Sequence, residues 1–235
     1  MEYDKTPGIK IGIIPDGNRR AAKRLMKRPW MGHKWGIEKL RELFKWSREL
    51  DIKEITVYAF SLKNFNRPKE EFDFLMNLFR KEFDHLKNDP EIYENKIKIN
   101  FIGRINLFAQ DIQEKMKELE ERTKNHDKYI INFAMAYDGR AEVVDTIKKI
   151  ATQVKEGKIK IEDIDEDLIK KNLYMDNDVD LIIRTSGEKR TSSFLPLQAD
   201  YAELVFIENY WPDLTKEQFV EAINNFKSRE RRFGK

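Results

Sequence analysis

The chain has 235 residues, 45 of them Lys or Arg and 42 Asp or Glu, so its net charge is only +3 although 37% of it is charged. That near balance argues against a dedicated nucleic-acid binder, which carries a large basic surplus. The absence of cysteine excludes a disulfide framework, a thiolate nucleophile and a cysteine zinc site. No stretch approaches the roughly 18 consecutive apolar residues of a membrane span, and the first residues lack the apolar core of a signal peptide. The expectation is a cytoplasmic protein with one domain over residues 1–235, long enough to bury a sizeable core.

Short β-rich runs alternate with helical patterns. Residues 10–15 (KIGIIP) read as a buried strand, and helical spacing follows at Trp35, Leu40, Leu43, Phe44 and Leu50. A second strand at 53–60 (KEITVYAF) precedes a helix marked by Phe72, Leu75, Phe79, Phe83 and Leu86. Residues 96–102 and 129–135 are the third and fourth strands, each followed by a helical pattern: Ile112, Met116 and Leu119, then Val143, Val144, Ile147 and Ile150. The charged stretch 155–167 reads as a surface excursion, with Asp163, Asp165 and Asp167 as helix-start charge. Strands at 180–183 and 204–207 complete the set, and a last helix starts at an N-cap Thr215, with Gln218 three residues on, and reaches Arg229. This alternation predicts an α/β fold: a central, mostly parallel six-stranded sheet flanked by helices.

In open parallel sheets ligands bind beyond the carboxyl ends of the strands. After the first strand come Pro15-Asp16-Gly17-Asn18-Arg19-Arg20, a carboxylate, a glycine and two arginines. They suit an anion site with a metal ligand, or simply an Asp-Gly turn with an Asx cap, which D-G-N alone favours. Residues 19–28 hold six basic residues in ten; such runs are usually solvated, but this one starts at the ligand end of a strand. Neither G-x-x-x-x-G-K-[ST] nor G-x-G-x-x-G occurs, which argues against the familiar nucleotide sites. Ser61 to Pro68 (SLKNFNRP) follow the second strand, and there functional and structural readings balance. After the fifth, Arg184 to Ser193 (RTSGEKRTSS) favour an oxyanion or diphosphate cradle, being the third strand end with arginine. Glu203 is a carboxylate in an apolar setting that needs a cation or an arginine. His33 lies near the basic segment, and the three histidines lack zinc spacing. Two diphosphates bridged by Mg²⁺ would satisfy this set, although the residues alone do not name the carbon chemistry.

The motifs IIPDGNRR, GHKWG, YAFSLKNFNRPKEE, YDGR, IRTSGEKRTSSFL, YAEL and RERRFG, over residues 11–234, resemble the cis-prenyltransferases, the undecaprenyl diphosphate synthase family. The G-N-R-R turn is similar to the archaeal and eukaryotic branches. The resemblance implies an Mg²⁺-dependent enzyme joining isopentenyl diphosphate to an allylic diphosphate, farnesyl or geranylgeranyl, to give a polyprenyl diphosphate that serves as a glycosyl-carrier lipid precursor. Asp16 would hold Mg²⁺ and act in catalysis; Gly17, Asn18, Arg19 and Arg20 would wrap the allylic diphosphate, with His33 nearby. Asn64 matches the family's proton acceptor or relay, flanked on the substrate by Ser61, Phe65 and Arg67. Arg184, Arg190 and Ser192 would bind the isopentenyl diphosphate, and Glu203 would be a second Mg²⁺ ligand within the same site. Arg232 and Gly234 match the R-x-G terminus that reaches across a homodimer. Peripheral membrane contact would accompany release of an apolar product, with no nucleic-acid partner. Phe72, Leu75, Phe79 and Phe83 would line a product tunnel or simply form core.

The sequence departs from the family at Ala21 (an aromatic elsewhere), Pro29 (an arginine), Ser193 (an asparagine) and Leu197 (a tryptophan). Alternatives are a short-chain or non-head-to-tail enzyme joining two allylic diphosphates, and a non-catalytic partner subunit. Retention of Asp16, Arg184 and Arg190 argues against the last.

Overall fold

Six runs rich in Ile, Val and Phe form one sheet in the computed structural model, which describes Thr6 and residues 8–228. The strands are β1 (Lys10–Ile14), β2 (Glu54–Ser61), β3 (Ile97–Ile102), β4 (Tyr129–Tyr137), β5 (Leu181–Thr185) and β6 (Glu203–Ile207). Every pairing is parallel, in the order β3-β4-β2-β1-β5-β6. Parallel neighbours need crossovers, and helices supply them. They are α1 (Asn18–Arg24), α2 (Gly32–Glu49), α3 (Lys69–Asn88), α4 (Pro90–Glu94), α5 (Gln110–Thr123), α6 (Gly139–Lys155), α7 (Glu166–Asn172) and α8 (Lys216–Ser228). The capping box expected at Thr215 forms: Gln218 N–H donates to Thr215 Oγ1 at 3.3 Å, and Thr215 N–H donates to Gln218 Oε1 at 3.2 Å.

Alternate residues of each strand serve the two faces of the sheet. Ile11, Ile13, Val57, Phe133, Leu181 and Ile183 pack with Leu43 and Phe44 of α2, Leu75 and Phe79 of α3, Ile112 of α5 and Phe219 of α8. On the other face Ile182 and Ala134 pack with Met175, Phe194 and Leu195. That second face is tied to α6 by Glu142, a buried carboxylate bonded by Tyr137 Oη, the Tyr174 amide and Gln198 Nε2. Both faces are covered, which is why the strands read as continuous apolar runs.

The chain places β2, β4 and β3 on one side of β1 and β5 and β6 on the other. The carboxyl edge around β1 is therefore the switch point of the sheet, where a crevice opens between diverging crossovers.

Candidate active site

Three adjacent strand ends, those of β2, β1 and β5, carry the polar residues singled out in the sequence. Asp16 follows β1 by two residues. Its Oδ1 accepts the Gly17 amide at 2.7 Å and lies 3.2 Å from Arg20, and its Oδ2 accepts from Arg184 at 2.7 Å. Its carbonyl takes bonds from Thr185 Oγ1 at 2.7 Å and the Trp211 amide at 2.9 Å. Burial acts to raise the Asp16 carboxyl, but the hydrogen bond and charge of Arg184, the charge of Arg20 and the Gly17 amide hold it below the usual carboxylate value. Gly17 adopts φ +103°, and a Cβ there would stand 2.9 Å from the Tyr210 side chain. Glycine is required on both counts, and so the turn can present Asp16 this close to the sheet.

Arg184 is buried and bridges the loop to the first turn: besides Asp16 it donates to Ser192 Oγ at 2.7 Å and to the Arg190 carbonyl at 2.6 Å. That loop is locally strained, with Ser186, Ser192, Ser193 and Leu195 all at positive φ. Tyr58 stacks on Phe194 with centroids 4.8 Å apart, and Tyr137 Oη accepts the Leu195 amide at 3.2 Å, which pins the strained stretch.

Asn64 sits in the 3-10 turn at Leu62–Asn66, where its Oδ1 accepts the Ser61 amide at 2.9 Å. Arg67 Nη1 lies 2.8 Å from His33 Nε2 and 2.7 Å from Glu71 Oε1, and Arg19 approaches Glu71 at 3.6 Å. Burial pushes His33 below its ordinary 6.5; the neighbouring Glu71 opposes this and the Arg67 and Arg19 charges add to it.

These groups surround two adjoining polar cavities. Gly17, Arg19, Arg20 and Lys23 line the first, and Ser61, Asn64, Arg184 and Ser192 line the second. Asp16, Asn18, His33 and Arg67 border both. A third, apolar cavity starts from the same Pro15, Asn18 and His33 and runs between α2 and α3, along Ile37, Leu40 and Phe44 on one side and Leu75, Phe79 and Phe83 on the other. Leu75, Phe79 and Phe83 are thus both core and cavity wall, whereas Phe72 lies outside it.

Several expectations change. Glu203 is not part of this site within the chain. It opens β6, pairs with Leu181 and so stands level with Ile11, at the amino edge of the sheet. Asp16 lies five residues further along, roughly 15 Å away at the rise of a strand. Phe65 does not line the polar cavities; its ring packs 5.1 Å from Phe60 and 5.5 Å from Phe108. Arg190 is more than half exposed and paired with Glu188, which also holds Arg20 at 3.0 Å. Arg232 and Gly234 lie outside the described residues. Sequence reasoning passed over Glu71 and Glu188, although Glu71 follows Arg67 at the i,i+4 spacing of a helical ion pair.

A crevice that joins cationic cavities to a long apolar one suits an enzyme that handles diphosphates with hydrocarbon tails, and the class it defines is the prenyltransferases. The family described as "Putative undecaprenyl diphosphate synthase" matches residues 14–234. The tritrans,polycis-undecaprenyl-diphosphate synthase (geranylgeranyl-diphosphate specific) of Methanocaldococcus jannaschii is 49% identical over 96% of this chain and 82% of its own length. The protein of the same description from Pyrococcus abyssi is 46% identical over 96% of this chain and 86% of its own. Among solved structures, lavandulyl diphosphate synthase from Lavandula x intermedia in complex with dimethylallyl diphosphate superposes with a TM-score of 0.91 at 29% identity, covering 96% of this chain and 98% of that one. The chain belongs to the undecaprenyl diphosphate synthase family of cis-prenyltransferases.

Proposed function

We propose that the protein condenses isopentenyl diphosphate with an allylic prenyl diphosphate to give a long polyprenyl diphosphate, a glycosyl-carrier lipid precursor. Geranylgeranyl diphosphate is the proposed starter, as in the names of the archaeal relatives. The observation that carries the reading is the shared floor of the cavities: Pro15, Asn18 and His33 border the cationic pair and the apolar one alike. A diphosphate seated among Arg19, Arg20 and Lys23 would send its hydrocarbon tail between α2 and α3.

In this reading the allylic C–O bond breaks with its electron pair leaving on diphosphate. The isopentenyl double bond attacks the resulting allylic carbon, and a proton is lost to leave the new cis double bond. Arg19 and Arg20 neutralise the leaving group from fixed positions, which is worth most where water is excluded. Arg184 and Ser192, held by the strained loop, bind the second diphosphate, with Arg190 beside them. Asn64 lines the same cavity as Arg184 and Ser192 and is the proposed proton relay. One ionised carboxylate beside substrate phosphates is the usual protein share of an Mg²⁺ site, and Asp16 fits it. Bound there, Mg²⁺ would supply further charge neutralisation at the leaving diphosphate.

A homodimer is supported by exposed apolar side chains near the β6 edge, among them Leu197, Tyr201 and Leu204. No described helix is long and apolar enough to cross a membrane.

The test incubates purified protein with Mg²⁺, labelled isopentenyl diphosphate and either geranylgeranyl or farnesyl diphosphate, beside Asp16→Ala. The expected result is an extractable long-chain product that disappears in the variant. Binding of the allylic diphosphate without product would favour dimethylallyl diphosphate as acceptor. Binding of neither diphosphate would favour a non-catalytic partner subunit.

A further inference from the structure

The loop between α1 and α2 leaves the cationic cavity at Lys23 and returns to it at His33. Its tip is built against the ordinary demands of folding and solubility. Met26 is 97% exposed and sits at φ +53°, just beyond the end of α1, where the Lys27 amide turns back to the Ala22 carbonyl at 3.0 Å. Helices commonly end this way on glycine, which alone takes the left-handed conformation without strain. Folding would choose glycine there and solubility a polar residue; methionine meets neither demand. Leu25 beside it is 53% exposed and Met31, at the end of the loop, 40%. Arg28 stacks over Trp30 at 5.5 Å, with the ring half-buried.

Charge gives the second observation. Between Asp16 and Glu38 stand Arg19, Arg20, Lys23, Arg24, Lys27, Arg28 and Lys34, and no acidic residue. With these seven set aside, the chain keeps 38 basic residues against 42 acidic; Arg19, Arg20 and Arg24 pair with Glu71, Glu188 and Asp213, while Lys23, Lys27 and Arg28 are exposed and make no ion pair among the described residues. Exposed Leu and Met side chains, ringed by exposed Lys23, Lys27 and Arg28, are complementary to a surface with an anionic outer layer and an apolar interior. Nucleic acid would answer the charge but leave Leu25 and Met26 uncontacted.

We propose that the loop at residues 25–31 docks the enzyme on an anionic lipid surface: Leu25, Met26 and Met31 enter the acyl boundary while Lys27 and Arg28 pair with lipid headgroups. The cavities then open beside the surface that dissolves a long polyprenyl tail.

The full chain is tested by co-sedimentation with vesicles of phosphatidylcholine alone or mixed with phosphatidylglycerol; no prenyl substrate is used, so the result does not depend on the transfer reaction. Expected is binding to the mixed vesicles only, weakened by salt and unaffected by saturating inorganic pyrophosphate. Leu25→Ser with Met26→Ser lowers the partition at least about tenfold, and Lys27→Ala with Arg28→Ala about thirtyfold. Thermal midpoints equal to wild type show that the variants fold. The proposal is overturned if wild type ignores phosphatidylglycerol, or if the Leu25/Met26 variant sediments like wild type. Release by pyrophosphate with the loop variants still binding would also overturn it, because the cradle itself would then be holding lipid phosphate.

Discussion

Glu71 is a 1% exposed carboxylate among Arg67, His33 and Arg19, and it sets the geometry of the cationic cavity without lining it. Its substitution by glutamine keeps the shape and leaves three basic groups facing one another. Removing one partner of a buried ion pair typically costs about 3–5 kcal/mol. We expect Glu71→Gln to lose about 3 kcal/mol in urea unfolding and to bind pyrophosphate with altered affinity, since Arg19 lines the cavity. His33 gives the pH dependence. Its folded value lies below the ordinary 6.5, so below that pH the unfolded chain takes up the proton first. The contribution of neutral His33 to stability is therefore complete above pH 6.5 and lost as pH falls toward the folded value. Wild type should lose stability on that acid side and His33→Gln should lose less; identical pH profiles would refute the assignment. Asp16 and the Arg184–Ser193 loop stood out because they follow strands, where parallel sheets place ligands, but D-G-N alone favoured a simple turn and their roles came from the family resemblance. Glu71 did not stand out, because an acidic residue in the first turn of a helix is ordinarily a solvated dipole partner, and no local pattern reveals that α2 buries it.

All six strands were readable from β-branched runs bounded by turn residues, and the helices between them made the sheet parallel. Close approaches between elements were not readable. α2 crosses the start of α1 so tightly that a Cβ on Gly32 would stand 1.9 Å from the Asn18 carbonyl oxygen. An alanine there must push the two helices apart, and overpacking of this kind costs about 1–3 kcal/mol. Gly32→Ala should lower stability by that amount and weaken pyrophosphate binding in calorimetry, since Asn18 borders all three cavities of the site; unaltered binding would mean that α1 absorbs the shift elsewhere. The stretch expected as a charged surface excursion, residues 155–167, runs into α7, which is capped by Asp165 on the Leu168 amide at 2.8 Å. Its helix-start acid was recognised, but seven residues with few apolar positions carry too little periodicity to announce a helix. Between α2 and α3 a forked ion pair joins Arg41 to Glu82, Nε to Oε1 at 3.0 Å, and both residues border the apolar cavity. A tail lengthening between these helices must part that strap. We expect Arg41→Ala with Glu82→Ala to shift the product distribution, read by mass spectrometry, toward longer chains. An unchanged distribution would place the growing end elsewhere.

At the scale of the molecule, topology decides what local sequence cannot. Glu203 looked like a site carboxylate because Y-A-E-L is apolar around it, yet its function depends on which end of β6 it occupies. Parallel pairing of β5 with β6 puts the start of β6 beside the start of β5, at the edge away from Asp16. The same pairing makes β6 the last strand of the sheet, with Leu204 39% exposed upon it. An edge strand with apolar side chains in water invites pairing and is normally covered. Tyr201 and Leu197 precede it, exposed by 67% and 44%. A second copy of the chain covering this face would bury Leu197, Tyr201 and Leu204. Sedimentation equilibrium of wild type should give twice the 28.2 kDa of the chain. Leu204→Arg with Tyr201→Arg should give the single-chain mass, because two like charges facing their symmetry mates cannot be desolvated without partners. Thermal unfolding of that variant at low concentration should match wild type diluted to the same monomeric state. A wild type that sediments at 28.2 kDa at every concentration would end the dimer proposal and leave the β6 edge as a face for some other partner.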